Sequence, residues 1–309
     1  MRAHAWLLCL PLAGLLALFG GDYHLRFAAE ILITGTAVMS LDILVGQGRL
    51  VSLGHAALFG GAAYVSALLA IHAGAGLMPV LLAGIATGML LALVMGLVAT
   101  RSVDLFFLIL TLVVGQMVYE LAFHWRTVTG GADGLRGIPA LALHLGGASW
   151  PMSGARSLFL LAAGLALLAY LLARSFLAAP IGRALVASRE QPVRLAALGY
   201  EVRRLRLLAM VFAGGIAGAA GALYPFVNLY VGPNLVHWSM SATMIVMLVL
   251  GGVGTLHGAF VGTGLYLLVQ TYLSSFTDRW QLLIGLLFVL IVIFLPDGIV
   301  RPGWRRRQA

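Results

Sequence analysis

The chain has 309 residues, of which 61% are hydrophobic and 9% charged, and a mean hydropathy of +1.03. Soluble domains carry about 25% charged residues, so this composition excludes a cytosolic enzyme, a disordered chain and a secreted disulfide scaffold, and leaves a polytopic membrane protein. The net charge of +9 comes from 19 arginines with no lysine, and Cys9 is the lone cysteine. These counts exclude a P-loop lysine, a lysine Schiff base, an intrachain disulfide and a cysteine-cluster metal site.

The apolar runs predict about ten membrane spans, near 5–21, 28–45, 51–72, 77–99, 104–123, 157–177, 208–225, 237–252, 256–274 and 280–296. The first run is read as a span and not as a cleaved signal peptide. Gly20-Gly21 leads into Asp22-Tyr23-His24, with no small-residue cleavage pattern. Ten spans with the N-terminus inside put 14 arginines on the inner side and five on the outer. That asymmetry places both termini in the cytoplasm, and it attributes the positive charge to the membrane and not to nucleic acid. A nine-span alternative treats 28–72 as one broken helix and leaves the later orientation unchanged. The whole of 1–309 reads as a single transmembrane domain.

Two polar stretches interrupt the pattern. The loop at about 124–156 contains Thr129, Gly130, Gly131, Ala132, Asp133, Gly134 and Leu135, then Gly137 and Pro139. Its glycines predict tight turns on the outer side, and the plainest reading is a connecting turn. The stretch 174–206 carries seven arginines spaced among Ala184, Leu185, Leu195 and Leu198. It predicts one or two short amphipathic helices broken at Pro192 and Gly199. From spacing alone, such helices contact either anionic lipid or another protein.

A weak internal repeat links two glycine-broken segments. Gly46-Gln47-Gly48 precedes Ser52, Gly54, His55 and Phe59, while Gly252-Val253-Gly254 precedes His257, Gly258 and Phe260. Glycine breaks free backbone groups that lipid cannot satisfy, so these segments must face protein or a watery cavity. Close helix packing is expected for the pairs Ala56/Gly60, Gly214/Gly218 and Gly258/Gly262. Gln47, Ser52 and His55 are candidate pathway residues. Asp42 joins them because an ionisable group within a span costs about 2.5–3.5 kcal/mol and marks a functional position by default. Glu120 sits near the end of its span, and Glu30 and Asp104 at span starts. His55 and His257 lack partners at metal-ligand spacing, so no metal site is expected. No hydrolase motif or acidic metal cluster occurs, and no catalytic residue is assigned.

Four motifs together resemble the branched-chain amino-acid ABC transporter permease family, LivM type. They are Gly46-Gln47 through Ser52-Leu53-Gly54-His55-Ala56-Ala57; Trp125-Arg126 with Thr129 to Leu135 and Gly137-Ile138-Pro139; Ser188-Arg189-Glu190 with Ala196-Ala197-Leu198-Gly199; and Gly251 to Thr255 with Gly258. They run in the family's order from about residue 30 to 300. The resemblance implies an all-α bundle with the ABC importer permease fold in a bacterial inner membrane. It implies a second, LivH-like permease subunit, two separate ABC ATPase subunits that bind the ATP, and a periplasmic solute-binding protein. No cofactor is then bound by this chain itself.

The same resemblance makes about 178–207 the cytoplasmic loop that grips the ATPases, through Ser188, Arg189, Glu190, Ala196, Ala197, Leu198 and Gly199. It thereby favours protein over lipid contact there. This sequence departs from the family pattern at Asp42, where a neutral polar residue is expected, and at Arg49 and Val51. The solute implied is a branched-chain amino acid or a related small molecule, with urea, amides and aromatic acids as alternatives. A stand-alone secondary transporter using Asp42 or Glu120 as its coupling acid is the rival reading. An intramembrane enzyme has the least support.

Overall fold

The computed structural model describes residues 21–300 except 103, 146–147, 153, 277–278 and 296–297. The first predicted span and Cys9 lie outside the described residues. The long helices are α1 (Asp22–Asp42, continued by a π-turn Ile43–Gln47), α2 (His55–Ala73), α3 (Leu77–Ala99) and α4 (Asp104–His124). A short α5 (Arg126–Thr129) and a hairpin of β1 (Ala142–Leu145) with β2 (Ala148–Pro151) lead to α6 (Ala155–Ala178). Then come α7 (Pro180–Glu190), α8 (Pro192–Ala197), α9 (Val202–Asn228), α10 (Trp238–Gly251), α11 (His257–Ser274) and α12 (Trp280–Phe294).

Six of these segments are long and apolar enough to cross a membrane: 22–47, 55–73, 77–99, 105–124, 155–178 and 202–228. Two shorter apolar helices cover 238–251 and 280–290. The predicted runs from 28 onward all coincide with helices, with shifted ends. Helix α9 begins six residues before its apolar run, because Arg203, Arg204 and Arg206 lower the hydropathy of a turn that is nonetheless helical. Helix α2 begins four residues later than its run. There Leu53 N–H donates to Thr111 Oγ1 (3.2 Å) and Gly54 N–H to Ser52 Oγ (3.3 Å), which holds the chain in a non-helical turn.

Helices α1 and α9 form the centre. Burial covers 72% of the apolar window of the first and 67% of the second, against 22% for 105–124 at the periphery. Helix α9 packs on α3, α2 and α1, while α1 also meets α6 and α11. The outward faces of α3, α4 and α6 carry exposed Leu82, Leu90, Phe106, Met117 and Leu160. An apolar exterior over a packed interior is the arrangement a lipid environment selects.

The bundle has two ends. At one, Arg26 Nη1 donates to Val227 O (3.4 Å), and Leu135 and Val231 exchange backbone hydrogen bonds of 2.8 and 3.1 Å. The loop segments 125–145 and 229–237 therefore share that end. Residues 46–49, 179–201 and 252–256 gather at the other. Gly60 of α2 lies under Leu235, near the end from which α1 started. Helices α1 and α2 are separate segments, each long and apolar enough to cross a membrane by itself, with a non-helical turn between them.

The closest approach is between α3 and α9, where Gly84 and Gly88 face Gly214 and Gly218. A Cβ on Gly88 would strike the Gly214 carbonyl, and one on Gly218 the Gly84 carbonyl. Without a hydrophobic driving force between helices in lipid, such backbone contact supplies the dispersion that holds them together. Gly218→Leu is expected to force the pair apart and destabilise the protein by roughly 1–3 kcal/mol or more, read as a lowered unfolding temperature in detergent. Leu160→Ala, on an exposed face, is expected to leave that temperature nearly unchanged.

Candidate functional site

Arginine density and glycine breaks meet at one end of the bundle. Helix α1 changes pitch after Asp42 and ends as a π-turn. Such turns interrupt the ordinary i→i−4 ladder and are frequent at functional sites. The chain then turns at Arg49, whose φ of 56° is in the left-handed region. Across from it, α10 stops at Gly251, and the break Gly252–Leu256 carries φ values of 115° at Gly252, 85° at Gly254 and 52° at Leu256 before α11 begins. The two segments of the weak repeat thus lie side by side.

Asp42 joins them. Its residue has no exposed surface. Gly254 N–H donates to Oδ1 at 2.6 Å, and Leu256 N–H donates to Oδ2 at 2.9 Å. Gln47 Nε2 donates to Gly254 O at 3.0 Å. A Cβ on Gly46 would meet Gly254 N at 2.6 Å, so the two breaks touch through bare backbone. Thr255 closes the local turn, donating to Gly252 O (2.7 Å) and accepting from Gly258 N–H (3.0 Å).

The arginine-rich stretch forms two helices on this end, as the spacing predicts. Pro192 opens α8, and Gly199, at φ 87°, follows its end. The inner face buries Ala184, Leu185, Ser188 and Leu195. Ser188 Oγ donates to Leu185 O (2.7 Å). Arg189 turns inward, and its Nη1 donates to Gly46 O at 2.7 Å. Glu190, Ala196, Ala197, Leu198 and Gly199 face outward. Val193 is 81% and Leu198 75% exposed, which is unusual for apolar residues on a helix already carrying charge.

The other candidate residues divide. Ser52 and His55 are fully buried, and Gln47 is half-buried. Ser40 Oγ donates to Ala37 O (2.7 Å) and shares a hydrogen bond with His55 Nε2 (2.7 Å). Ala56 N–H donates to Ser241 Oγ (2.9 Å). In this conformation Asp42, Ser52 and His55 are therefore held in packed surroundings. At the opposite end, Gly130 and Gly134 adopt left-handed φ of 75° and 67°, and Asp133 is exposed. This loop is more than a connecting turn. Gly131 starts a 3-10 turn, Arg136 stacks over the Tyr230 ring at 5.7 Å, and a two-stranded hairpin follows. Among the described residues no group of three or more His, Cys, Asp or Glu is placed to hold a metal.

Residues 23–292 match the family described as branched-chain amino acid transport system / permease component. The chain belongs to that family. It is 29% identical over 287 residues to the high-affinity branched-chain amino acid transport system permease protein LivM of Escherichia coli K12, covering 85% of this chain and 66% of that protein. The corresponding LivM of Salmonella typhimurium is 28% identical over 285 residues, with the same coverage. A probable branched-chain amino acid transport permease protein LivM of Methanocaldococcus jannaschii is 29% identical over 153 residues, 44% of each chain. The chain thus spans slightly less than two thirds of the length of the first two relatives. No solved structure matches it significantly.

What the sequence did not reveal in this permease chain is the partner of Asp42. A carboxylate followed by a glycine break gave the signal that it was special, but its donors lie more than 200 residues away. Gln47→Leu removes one hydrogen bond between the two breaks. It is expected to cost about 1 kcal/mol, seen as a fall of roughly 2–4 °C in the unfolding temperature of the purified chain.

Proposed function

We propose that this chain is a membrane-embedded permease subunit of an ATP-driven importer, moving branched-chain amino acids or a related small solute inward. Family membership and the transport role named for the LivM relatives support the transport reading. The observation that carries the ATP-driven part is the α7–α8 segment. It is an amphipathic pair of helices with a packed inner face, an outward row of small residues, and apolar side chains exposed among charged ones, Val193 and Leu198 the most open and Ile181 and Tyr200 partly so. A lipid-facing helix would carry a continuous apolar stripe, whereas separated apolar knobs among arginines suit a protein groove.

The same reading proposes ten spans, with the α7–α8 end and both termini in the cytoplasm of a bacterial inner membrane. Two ATPase subunits would dock on α7–α8 and bind the ATP, in keeping with the absence of a P-loop lysine from this chain. A second, LivH-like permease subunit and a periplasmic binding protein would complete the system, the latter meeting the loop at 124–156. The bundle would switch between outward-open and inward-open states biased by these partners. The rival ion-coupled mechanism draws no support from the site. Asp42 is sealed by backbone donors, and Glu120 is an exposed residue paired with His124 (3.2 Å) and Gln116 (3.0 Å).

Two measurements test this reading. In a Cys9→Ser background, Val193→Cys should react with a membrane-impermeant thiol reagent in inverted vesicles and stay unlabelled in intact cells. Labelling from outside intact cells would overturn the orientation. Gly199→Leu, at a backbone φ of 87° that disfavours side chains, should reduce both co-purification of the ATPases and uptake several-fold. Unchanged values for both would remove the docking role.

A further inference from the structure

The two helix breaks and the α7 hinge form one hydrogen-bonded unit. On one side stand Asp42, Gly46 and Gln47 at the end of α1; on the other, Gly254 and Leu256 between α10 and α11. Arg189 reaches in from the hinge. Each link uses a buried or half-buried donor–acceptor pair between elements far apart in sequence: Asp42 with Gly254 and Leu256, Gln47 with Gly254, and Arg189 with Gly46. Both breaks also hold a non-glycine residue in the left-handed region, Arg49 at 56° and Leu256 at 52°. Such residues persist where surrounding structure over-determines them, and they cluster at switch regions.

The chemistry of position 42 is specific. Two backbone N–H groups point at two different oxygens, so the site needs an acceptor at both. An ionised carboxylate supplies this, with charge-assisted bonds. Asparagine would supply one acceptor and set an NH2 against the second N–H. Glutamate would overreach a site in which the Gly46 and Gly254 backbones already touch.

We infer that Asp42 is a positioning residue that locks the α1–α2 and α10–α11 breaks to each other, and that Arg189 ties this lock to the α7 hinge so that a displacement of the hinge moves both breaks together. The inference rests on the ATP-driven reading above and adds to it a route by which the hinge reaches the bundle interior. It also reassigns the acid in α1 from a group that meets the solute to one that meets the backbone of a neighbouring break.

The test uses the complete complex, with its second permease, ATPases and binding protein, reconstituted in liposomes with radiolabelled L-leucine as the probe solute. Asp42→Asn and Arg189→Gln are compared with the unaltered complex for assembly, ATP hydrolysis, KM and the amount of solute moved per ATP. The lock predicts that each variant lowers solute moved per ATP by roughly tenfold, the size of one lost charge-assisted hydrogen bond, with KM unchanged. A role confined to folding would instead lower assembly, hydrolysis and uptake in parallel and leave the ratio intact, which would overturn the inference. An altered KM or solute preference would also overturn it, by returning Asp42 to the solute pathway. Should Asp42→Asn fail to assemble, Arg189→Gln, altered at the half-buried outer end of the unit, decides by the same ratio. If the unaltered complex moves none of several candidate solutes in response to ATP, the ATP-driven reading itself fails. If it transports normally and both variants keep its ratio, the lock alone fails.

Discussion

Inside an apolar bundle, backbone N–H and C=O groups released by a helix break have no water to satisfy them, and each left unpaired costs several kcal/mol. Two such breaks meet at the arginine-rich end of this protein, and the Asp42 carboxylate is what satisfies the second of them. Its oxygens take the N–H groups of Gly254 and Leu256, while Gln47 takes the Gly254 carbonyl. The cost of burying a charge and the cost of exposing backbone to an apolar medium offset each other in one place. Either feature alone would be destabilising. Together they fix how α1, α10 and α11 sit.

The same constraint explains the glycines around it. Gly46 and Gly254 are in backbone contact, and a side chain on the first would displace the second. Gly251, Gly258 and Gly262 bring α10 and α11 so close that a Cβ on Gly262 would strike the Met247 carbonyl. The α3–α9 crossing at Gly88 and Gly214 follows the same rule at a different level of the bundle. Close packing of bare backbone substitutes for the hydrophobic drive that lipid removes, and it leaves the larger apolar side chains to face outward.

The α7–α8 hinge connects this interior to the surface. Its inner residues, Ser188 and Arg189, belong to the packed end of the bundle, while Val193, Leu198 and Gly199 project away from it. One face of the segment is anchored by the Arg189 hydrogen bond to the Gly46 carbonyl and the other is exposed, which is the arrangement the proposed coupling role requires. The loop at the opposite end is also built and not merely connecting. The pairing of Leu135 with Val231 ties it to the end of α9, so both ends of the longest central helix are engaged by segments the family resemblance singles out.

Much of this protein was legible along the chain. Hydropathy located every described long helix, because lipid demands about 20 apolar residues per crossing whatever the tertiary fold. Pro192 and Gly199 marked the ends of α8, since a fixed φ and a left-handed φ are properties of single residues. Helix ends were less accurate where local hydrogen bonds or polar first turns intervened, as at Ser52 and Arg203. The β1–β2 hairpin escaped notice because its short strands carry no long periodic signal. The two glycine breaks were visible as separate events, and Asp42 as an acid in an apolar span. Only the folded chain shows that these are one site. Hydrogen-bond partners more than 200 residues apart leave no trace in local composition, and a carboxylate reads the same in sequence whether it meets a solute, a proton or the backbone of another helix break.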